Sequence, residues 1–185
     1  MKKLWTFFLA CAFLALQGCA ASLPAPENKP FIPLDKANLQ AIFEENEGLE
    51  VFEEDAKELR DFYRGGVQQK AKADKRFQEK TYPEAMKLYR SSNDFFLTLI
   101  RYLDEDAAAY NLFEGCDILF FPNLLMADNH LKIGLICKTM GRDWRAKYNW
   151  KRALSLVKKS LRTEWTEWGL ALEQELLSLL AAQQK

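Results

Sequence analysis

Residues 131–154 read LKIGLICKTMGRDWRAKYNWKRAL, and this stretch predicts two helices joined by a tight turn. Gly141 marks the turn, because glycine readily adopts the left-handed backbone conformation that commonly ends a helix. Gly134 and Ala146 are small, which lets the two helices of the hairpin cross closely. Trp150 supplies a large side chain that fills the space between neighbouring hairpins. The stretch therefore predicts a helical hairpin that packs through small residues.

The same stretch resembles the tetratricopeptide repeat, a family of two-helix repeats that stack side by side. The small, turn and aromatic residues of that signature stand at Gly134, Gly141, Ala146, Trp150 and Ala153. Cys137 takes a position where the family usually has tyrosine, in a buried slot between the two helices. In a second, weaker copy upstream, Lys80 replaces the turn glycine and Arg76 replaces the tyrosine. That copy is in register through Ala73, Phe77, Lys80, Tyr82, Ala85, Tyr89 and Ser92.

The rest of the chain also has helical spacing of its apolar residues, and no strand-like alternation is sustained anywhere. With 49% hydrophobic residues the chain can build a core, which excludes disorder over its whole length. The predicted fold is all-α, with antiparallel hairpins stacked as a short tetratricopeptide-like α-solenoid and a C-terminal capping helix. The repeat-like hairpins lie near residues 66–99 and 127–160, and residues 93–126 are interpreted as a degenerate or lengthened hairpin. Helices are predicted over 35–48, 49–80 (broken or bent at Gly65 and Gly66), 82–103, 106–121, 123–140, 143–161 and 163–182, with Pro122 at a turn.

The first residues have the pattern of an export signal. Two lysines precede the apolar run 4–16, which as a helix is about 20 Å long and too short to cross a bilayer. Residues 16–19, Leu-Gln-Gly-Cys, resemble the lipobox of bacterial lipoproteins. That resemblance implies that residues 1–18 are removed and that Cys19 carries palmitate-type acyl chains, which anchor the protein firmly in a membrane.

The lipobox resemblance also implies where the protein is located and how it is organised. Ala20, rather than an aspartate, follows the cysteine, and in enterobacterial lipoproteins this implies the outer membrane. Residues 19–34 hold four of the six prolines and are expected to form an extended tether. Residues 35–185 are expected to form one helical domain in the cell envelope, facing the periplasm.

Charge is balanced overall but separated along the chain. The 26 basic and 26 acidic residues argue against general electrostatic binding of nucleic acid. Residues 35–64 nevertheless sum to −6, and residues 132–162 sum to +9. Lys147, Lys151 and Lys158 lie close to one face of a helix. This basic region has three interpretations. It is a surface exposed to solvent, a region attracted to the acidic residues 35–64 of the same chain, or a docking surface for a partner, an anionic lipid or a cell-wall polymer.

The repeat family usually binds peptides along the concave face formed by the first helix of each hairpin. That resemblance implies partner-binding positions in both copies. In the better copy these are Leu131, Leu135, Lys138 and Thr139, and in the weaker copy they are Lys70, Asp74, Phe77 and Gln78.

Residues typical of catalysis or metal binding are scarce. His130 is the single histidine and has no companion at metal-ligand spacing, and no glycine-rich phosphate loop is present. We therefore predict no catalytic residues, no metal and no cofactor. Cys116 and Cys137 either remain buried free thiols or form a disulfide with each other.

These observations favour a non-catalytic envelope lipoprotein that serves as a protein–protein interaction or assembly scaffold. Its predicted contacts are an unidentified envelope protein and the membrane that holds Cys19. The alternative is a lipoprotein that binds a small hydrophobic ligand and is associated with a periplasmic transporter, with the aromatic residues of 95–121 lining a channel. An enzyme acting on envelope polymers is a third and weaker interpretation.

Overall fold

A computed structural model describes residues 53–105 and 117–183, and nearly all of them lie in five α-helices. The all-α prediction is confirmed for these residues, among which no strand occurs. The helices predicted over 35–48 and over the first part of 106–121 lie outside this range, as do the export signal, Cys19 and the tether. The elements are α1 (Glu53–Gln78), α2 (Tyr82–Glu105), a 3₁₀ turn (Asp117–Leu119), α3 (Phe121–Thr139), α4 (Asp143–Thr163) and α5 (Glu167–Ala182).

The helices pack as two hairpins followed by one more helix. α1 packs along α2, and α3 packs along α4. The two hairpins contact each other through α2 and α3. α5 packs mainly on α4 and buries Leu172 and Leu176. Thr166 caps α5, because its side-chain oxygen accepts a hydrogen bond from the Gly169 amide at 3.0 Å.

The two hairpin turns have the same backbone geometry. Lys80 has a φ of 60° between α1 and α2, and Gly141 has a φ of 68° between α3 and α4. In each turn the amide of the next residue donates to the carbonyl five residues earlier. The Thr81 amide donates to the Arg76 carbonyl at 3.0 Å, and the Arg142 amide donates to the Cys137 carbonyl at 2.8 Å. The amides of Lys80 and Gly141 themselves donate to the carbonyl three residues earlier, and together these bonds form a Schellman motif. Both helices thus end in the same way although only one turn contains glycine.

Equivalent positions of the two hairpins are 61 residues apart, and both members of each pair are buried. Each hairpin has one large aromatic residue and several small ones at these positions. The pairs are Ala73 with Gly134, Ala85 with Ala146, Tyr89 with Trp150, and Ser92 with Ala153.

Helix α1 continues through Gly65 and Gly66, so of the two predicted alternatives, a break or a bend, the break is wrong. The two glycines serve close packing instead. A Cβ atom on Gly65 would lie 2.6 Å from the Phe95 ring of α2, and one on Gly66 would lie 2.5 Å from the Phe96 ring. Glycine is therefore required here for the approach of the two helices rather than for a turn.

Residues 93–126 do not form a hairpin of their own in the part of the chain that the structure describes. Their first section is the second half of α2, and their last section is the start of α3. Pro122, predicted at a turn, lies in the first turn of α3, where its missing N–H costs no hydrogen bond. The two hairpins are consequently direct neighbours, and the length of α2 and of the segment that connects it to α3 contributes to the 61-residue spacing.

Candidate binding groove

An open groove of about 680 Å³ lies between α2 and α4, with α3 as its floor. This volume is within the range of protein sites that bind ligands. Its lining is Met86, Arg90, Asn93, Asp94 and Leu97 from α2, Met126, His130 and Cys137 from α3, Arg142 immediately before α4, and Trp144, Arg145, Tyr148, Asn149, Arg152 and Leu156 from α4.

The walls of the groove are strongly cationic. Arg90 of α2 lines the groove together with Arg145 and Arg152 of α4 and Arg142 just before it, and Asp94 is the single carboxylate in the lining. Among residues 53–105 and 117–183, no carboxylate forms an ion pair with any of these four arginines. Arginine presents a planar fork of donors that matches carboxylate or phosphate groups. The groove therefore offers anion-binding groups that the described chain does not itself neutralise.

Two aromatic side chains stand exposed in the lining of the groove. Trp144 is 69% exposed and Tyr148 is 57% exposed, both on α4. The guanidinium group of Arg145 lies 5.1 Å from the centre of the Trp144 ring, within the range of a cation–π contact. Tryptophan, tyrosine and arginine are the residue types that contribute most to binding at protein interfaces.

The floor of the groove is a neutral hydrogen-bonded group centred on His130. Asn149 Nδ2 donates to the Arg145 carbonyl at 2.8 Å, which turns Asn149 Oδ1 towards the imidazole. His130 Nδ1 then donates to that oxygen at 2.9 Å, and Nε2 accepts from Asn93 Nδ2 at 3.3 Å. Burial lowers the pKa of His130, and the charges of Arg152 and Arg90 lower it further, against the hydrogen bond with Asn149. The imidazole is therefore neutral at pH 7.

The floor continues into a polar chain that crosses all four helices of the two hairpins. Asn129 Nδ2 donates to Asn93 Oδ1 at 2.8 Å and to Ser92 Oγ at 3.0 Å. Ser92 Oγ donates in turn to the Gly66 carbonyl at 2.8 Å. Buried polar chains of this kind fix the relative positions of the elements they join, because misalignment leaves desolvated groups without partners.

A second polar cluster joins α1 and α3. Lys132 Nζ lies 2.8 Å from Asp74 Oδ1 and 2.9 Å from Asp128 Oδ2. Lys70 forms an ion pair with Asp128, and its Nζ lies 3.2 Å from Asp74 Oδ2. Tyr89 of α2 donates its hydroxyl to Asp74 Oδ1 at 2.7 Å. We call these five residues the ion-pair cluster.

The ion-pair cluster is held in its charged form. Burial alone would raise the pKa of Asp74, but hydrogen bonds from Lys132 and Tyr89 and the charges of both lysines outweigh it and lower the pKa. Burial would likewise lower the pKa of Lys132, whereas Asp128 and Asp74 raise it above the ordinary value. Burial and the charge of Asp74 raise the pKa of Tyr89, which stays protonated. Lys70 and Asp74, two of the predicted peptide-contacting residues, thus have partners within the fold.

The other positions implied by the repeat resemblance are spread over buried and exposed places. Leu131 is buried, and its carbonyl accepts a hydrogen bond from Trp150 Nε1 at 3.2 Å. Leu135 is half-buried, and its carbonyl accepts from the Thr139 hydroxyl at 3.0 Å. Lys138 is exposed and pairs with Asp143 at 2.7 Å. Phe77 packs against the rings of Tyr82 and Tyr89, and Gln78 is exposed.

The three lysines predicted as a docking surface lie on α4 but do not line the groove. Lys147 is half-buried, and Lys151 and Lys158 are exposed. Their spacing of four and seven residues places them on one side of the helix, as predicted. The cationic groups that the groove brings together are arginines, which a count of charge in the sequence does not separate from the lysines.

The described aromatic residues of 95–121 are buried or half-buried, and Tyr102 and Phe121 pack against the core. Phe96 and Phe120 are buried, and Phe95 lies against Gly65. These side chains give no support to the predicted hydrophobic channel. Cys137 is a buried free thiol, and Cys116 lies outside the described residues.

Within residues 53–105 and 117–183, no group of three histidine, cysteine or acidic side chains is placed to hold a metal ion. In the same part of the chain, no helix is both long enough and apolar enough to span a bilayer. Comparisons with protein-family models, curated proteins and solved structures find no significant match to this chain.

Proposed function

We propose that this chain is a lipid-anchored protein of the bacterial cell envelope whose helical domain binds another envelope protein and catalyses no reaction. The observation that carries the binding function is the groove between α2 and α4. It combines four arginines without internal ion pairs among the described residues and two exposed aromatic rings. Such a surface has charge and apolar area available for a partner, whereas the ion-pair cluster is already satisfied within the fold.

The proposed architecture is a short tetratricopeptide-like stack. Two features support it, namely the matching Schellman turns at Lys80 and Gly141 and the buried small and aromatic residues that recur after 61 positions. Direct contact between α2 and α3 agrees with stacking of consecutive hairpins. In this proposal α5 is the helix that closes one end of the stack.

The proposed membrane anchor rests on residues 16–19 and predicts a simple fractionation result. Replacing Cys19→Ala should move the protein from the membrane fraction to the soluble fraction, because the acylated sulfur is lost. Cys137→Ala is the matched control and should stay with the membrane. Density-gradient separation of the two membranes tests the proposed outer-membrane location. Membrane retention of the Cys19→Ala protein would contradict the anchor.

Site-directed photo-crosslinking in intact cells tests partner binding. A photoreactive amino acid in place of Tyr148 lies in the groove, and one in place of Lys151 lies on the same helix but outside it. We expect a protein adduct of defined mass from position 148, little from position 151, and loss of the adduct when Arg145→Glu is added. If neither these positions nor further exposed positions on α1 to α5 gave an adduct, the proposed scaffold function would be wrong.

A further inference from the structure

We infer that the groove between α2 and α4 binds an acidic peptide segment of the partner, whose carboxylates pair with the groove arginines while an apolar side chain packs on Trp144 and Tyr148. This inference rests on the proposed function and names the chemistry of the partner. It assigns binding to the second helix of each hairpin, a different face from the one that the repeat resemblance implies.

Charge complementarity is the first argument. Arg90, Arg145 and Arg152 approach the groove from two helices, and within the described residues they have no carboxylate partner. Like charges held around a recess repel one another, and a carboxylate placed among them relieves that repulsion. Burial lowers the pKa of His130 at the groove floor, and the charges of Arg152 and Arg90 lower it further.

The exposed aromatic rings decide between a peptide and other anions. A peptide can place a carboxylate and an apolar side chain within a few ångströms of each other, which matches the pairing of Arg145 with Trp144 at 5.1 Å. A cell-wall polymer would supply charge without the apolar side chains that cover Tyr148.

The floor itself contributes shape rather than binding groups. His130, Asn93 and Asn149 already bond to one another, so their desolvation by a ligand needs few new hydrogen bonds. Recognition therefore falls to the arginines and aromatic rings of the walls. The face formed by α1 and α3 lacks this free capacity, because Lys70, Asp74, Asp128 and Lys132 pair with one another.

A displayed library of random dodecapeptides, selected on the full-length chain purified in detergent, tests the inference. We expect the selected peptides to be enriched in aspartate or glutamate together with aromatic or aliphatic residues. Against one such synthetic peptide, the Arg145→Glu/Arg152→Glu double variant should bind at least about tenfold more weakly, as expected for loss and reversal of charged pairs. The Lys151→Glu/Lys158→Glu variant changes net charge equally outside the groove and should change affinity less than about twofold.

Two further measurements keep the result interpretable. Arg145→Gln/Arg152→Gln removes the charge without reversing it, and circular dichroism with thermal melting establishes that each variant folds. Selection of peptides without acidic residues, or equal binding by the groove and control variants, would overturn the inference. It would also be overturned if the groove variant lost binding to phosphatidylglycerol vesicles while peptide binding was unchanged. The photo-crosslinking experiment separates the two proposals, because an adduct on another face would retain the scaffold function while the peptide inference fails.

Discussion

The two hairpins reach the same backbone geometry with different residues. Both turns are Schellman motifs, but the left-handed position is Lys80 in the α1–α2 hairpin and Gly141 in the α3–α4 hairpin. The large buried residue is Tyr89 in the first hairpin and Trp150 in the second. Position and size are thus retained across 61 residues while the chemistry changes, which indicates that packing geometry constrains these positions more strongly than polarity does.

The chemical difference gives the two hairpins different kinds of interface. The Tyr89 hydroxyl donates to Asp74 and so joins the ion-pair cluster between α1 and α3. Trp150 instead donates to the Leu131 backbone of the helix beside it. A Trp150 ring that lies on Gly134 leaves no room for a side chain there, whereas Ala73 stands at the equivalent position of the first hairpin. The first interface depends on charge, and the second depends on fit.

Gly134→Ala should have the largest effect on stability, because it directly disturbs the packing of the Trp150 ring on Gly134. The new Cβ would lie 2.2 Å from Trp150 Nε1 and 2.4 Å from its Cδ1. Trp150 is fully buried, so the helices must move apart, and we expect a loss of about 3 kcal/mol in the free energy of unfolding. Urea denaturation followed by circular dichroism measures this loss.

The double variant Gly134→Ala/Trp150→Tyr tests whether the two hairpins use interchangeable pairs. It installs in the second hairpin the alanine and tyrosine of the first, at equivalent positions. We expect it to recover about 1 kcal/mol or more relative to the sum of the single variants, since residues in contact are coupled. Additive effects would show that Trp150 does not determine the need for Gly134.

Asp74→Asn should have the next largest effect, on the interface that depends on charge. It leaves Lys70 and Lys132 with Asp128 as their remaining carboxylate in the ion-pair cluster. Because these groups are partly exposed, we expect about 1–2 kcal/mol rather than the larger loss that follows when a fully buried pair is broken. Tyr89→Phe is the control that removes one hydrogen bond and no charge, and it should cost less.

The pH dependence of Asp74 gives an independent measurement. Its pKa is lowered in the folded protein, so its stabilising contribution is present above the unfolded value near 4 and disappears as pH falls through the folded value. The Asp74→Asn protein should therefore lose less stability than the unchanged protein on acidification below pH 4. Equal loss by the two proteins would remove Asp74 from the groups that control acid stability.

The turns should show smaller effects of opposite sign. Lys80→Gly relieves a left-handed residue and should stabilise the protein by about 0.5–1 kcal/mol, whereas Gly141→Lys should destabilise it by about 1 kcal/mol. Nothing lies within 4 Å of a Cβ atom on Gly141, so the second effect reports backbone conformation alone. Destabilisation by both substitutions, measured by thermal unfolding, would mean that the Lys80 side chain stabilises its turn.

The sequence predicts the described helices well, because α1, α2 and α4 carry a periodic apolar face and because Lys80 and Gly141 mark the two hairpin turns. It fails at Gly65 and Gly66, where the reason for glycine is the Phe95 and Phe96 rings of another helix. Local patterns do not contain that information. The interpretation of Pro122 as a turn fails for a related reason, since proline is equally acceptable in the first turn of a helix.

The sequence predicts only part of the candidate groove. Arg142, Arg145 and Arg152 belong to the basic stretch 132–162, so the charge of one wall is visible without a structure. Arg90 and Asn93 come from a helix some 50 residues earlier, and the packing of α2 on α3 is what brings them there. His130 has no neighbouring ligand in the sequence, and its partners likewise come from other helices.

His130→Gln should have the smallest effect and connects the groove to the same comparison, because Gln69 stands at the equivalent position 61 residues upstream. Burial and the charges of Arg152 and Arg90 keep the pKa of His130 below the unfolded value of about 6.5. As pH falls through 6.5 the unfolded state takes up a proton and the folded state does not, so stability decreases. For a single histidine this loss is at most about 0.7 kcal/mol between pH 7 and pH 6.

The glutamine variant removes the titrating group while keeping a side chain that can bond to Asn93 and Asn149. Its free energy of unfolding, measured by urea denaturation at pH 7.0, 6.5 and 6.0, should therefore be flatter than that of the unchanged protein. Since His130 is the single histidine in the chain, no second imidazole can compensate for it. An acidic peptide bound in the groove should weaken the pH dependence as well, because carboxylates beside Arg90 and Arg152 reduce the positive field that disfavours protonation. Identical slopes with and without the imidazole would show that His130 is not held neutral by its neighbours.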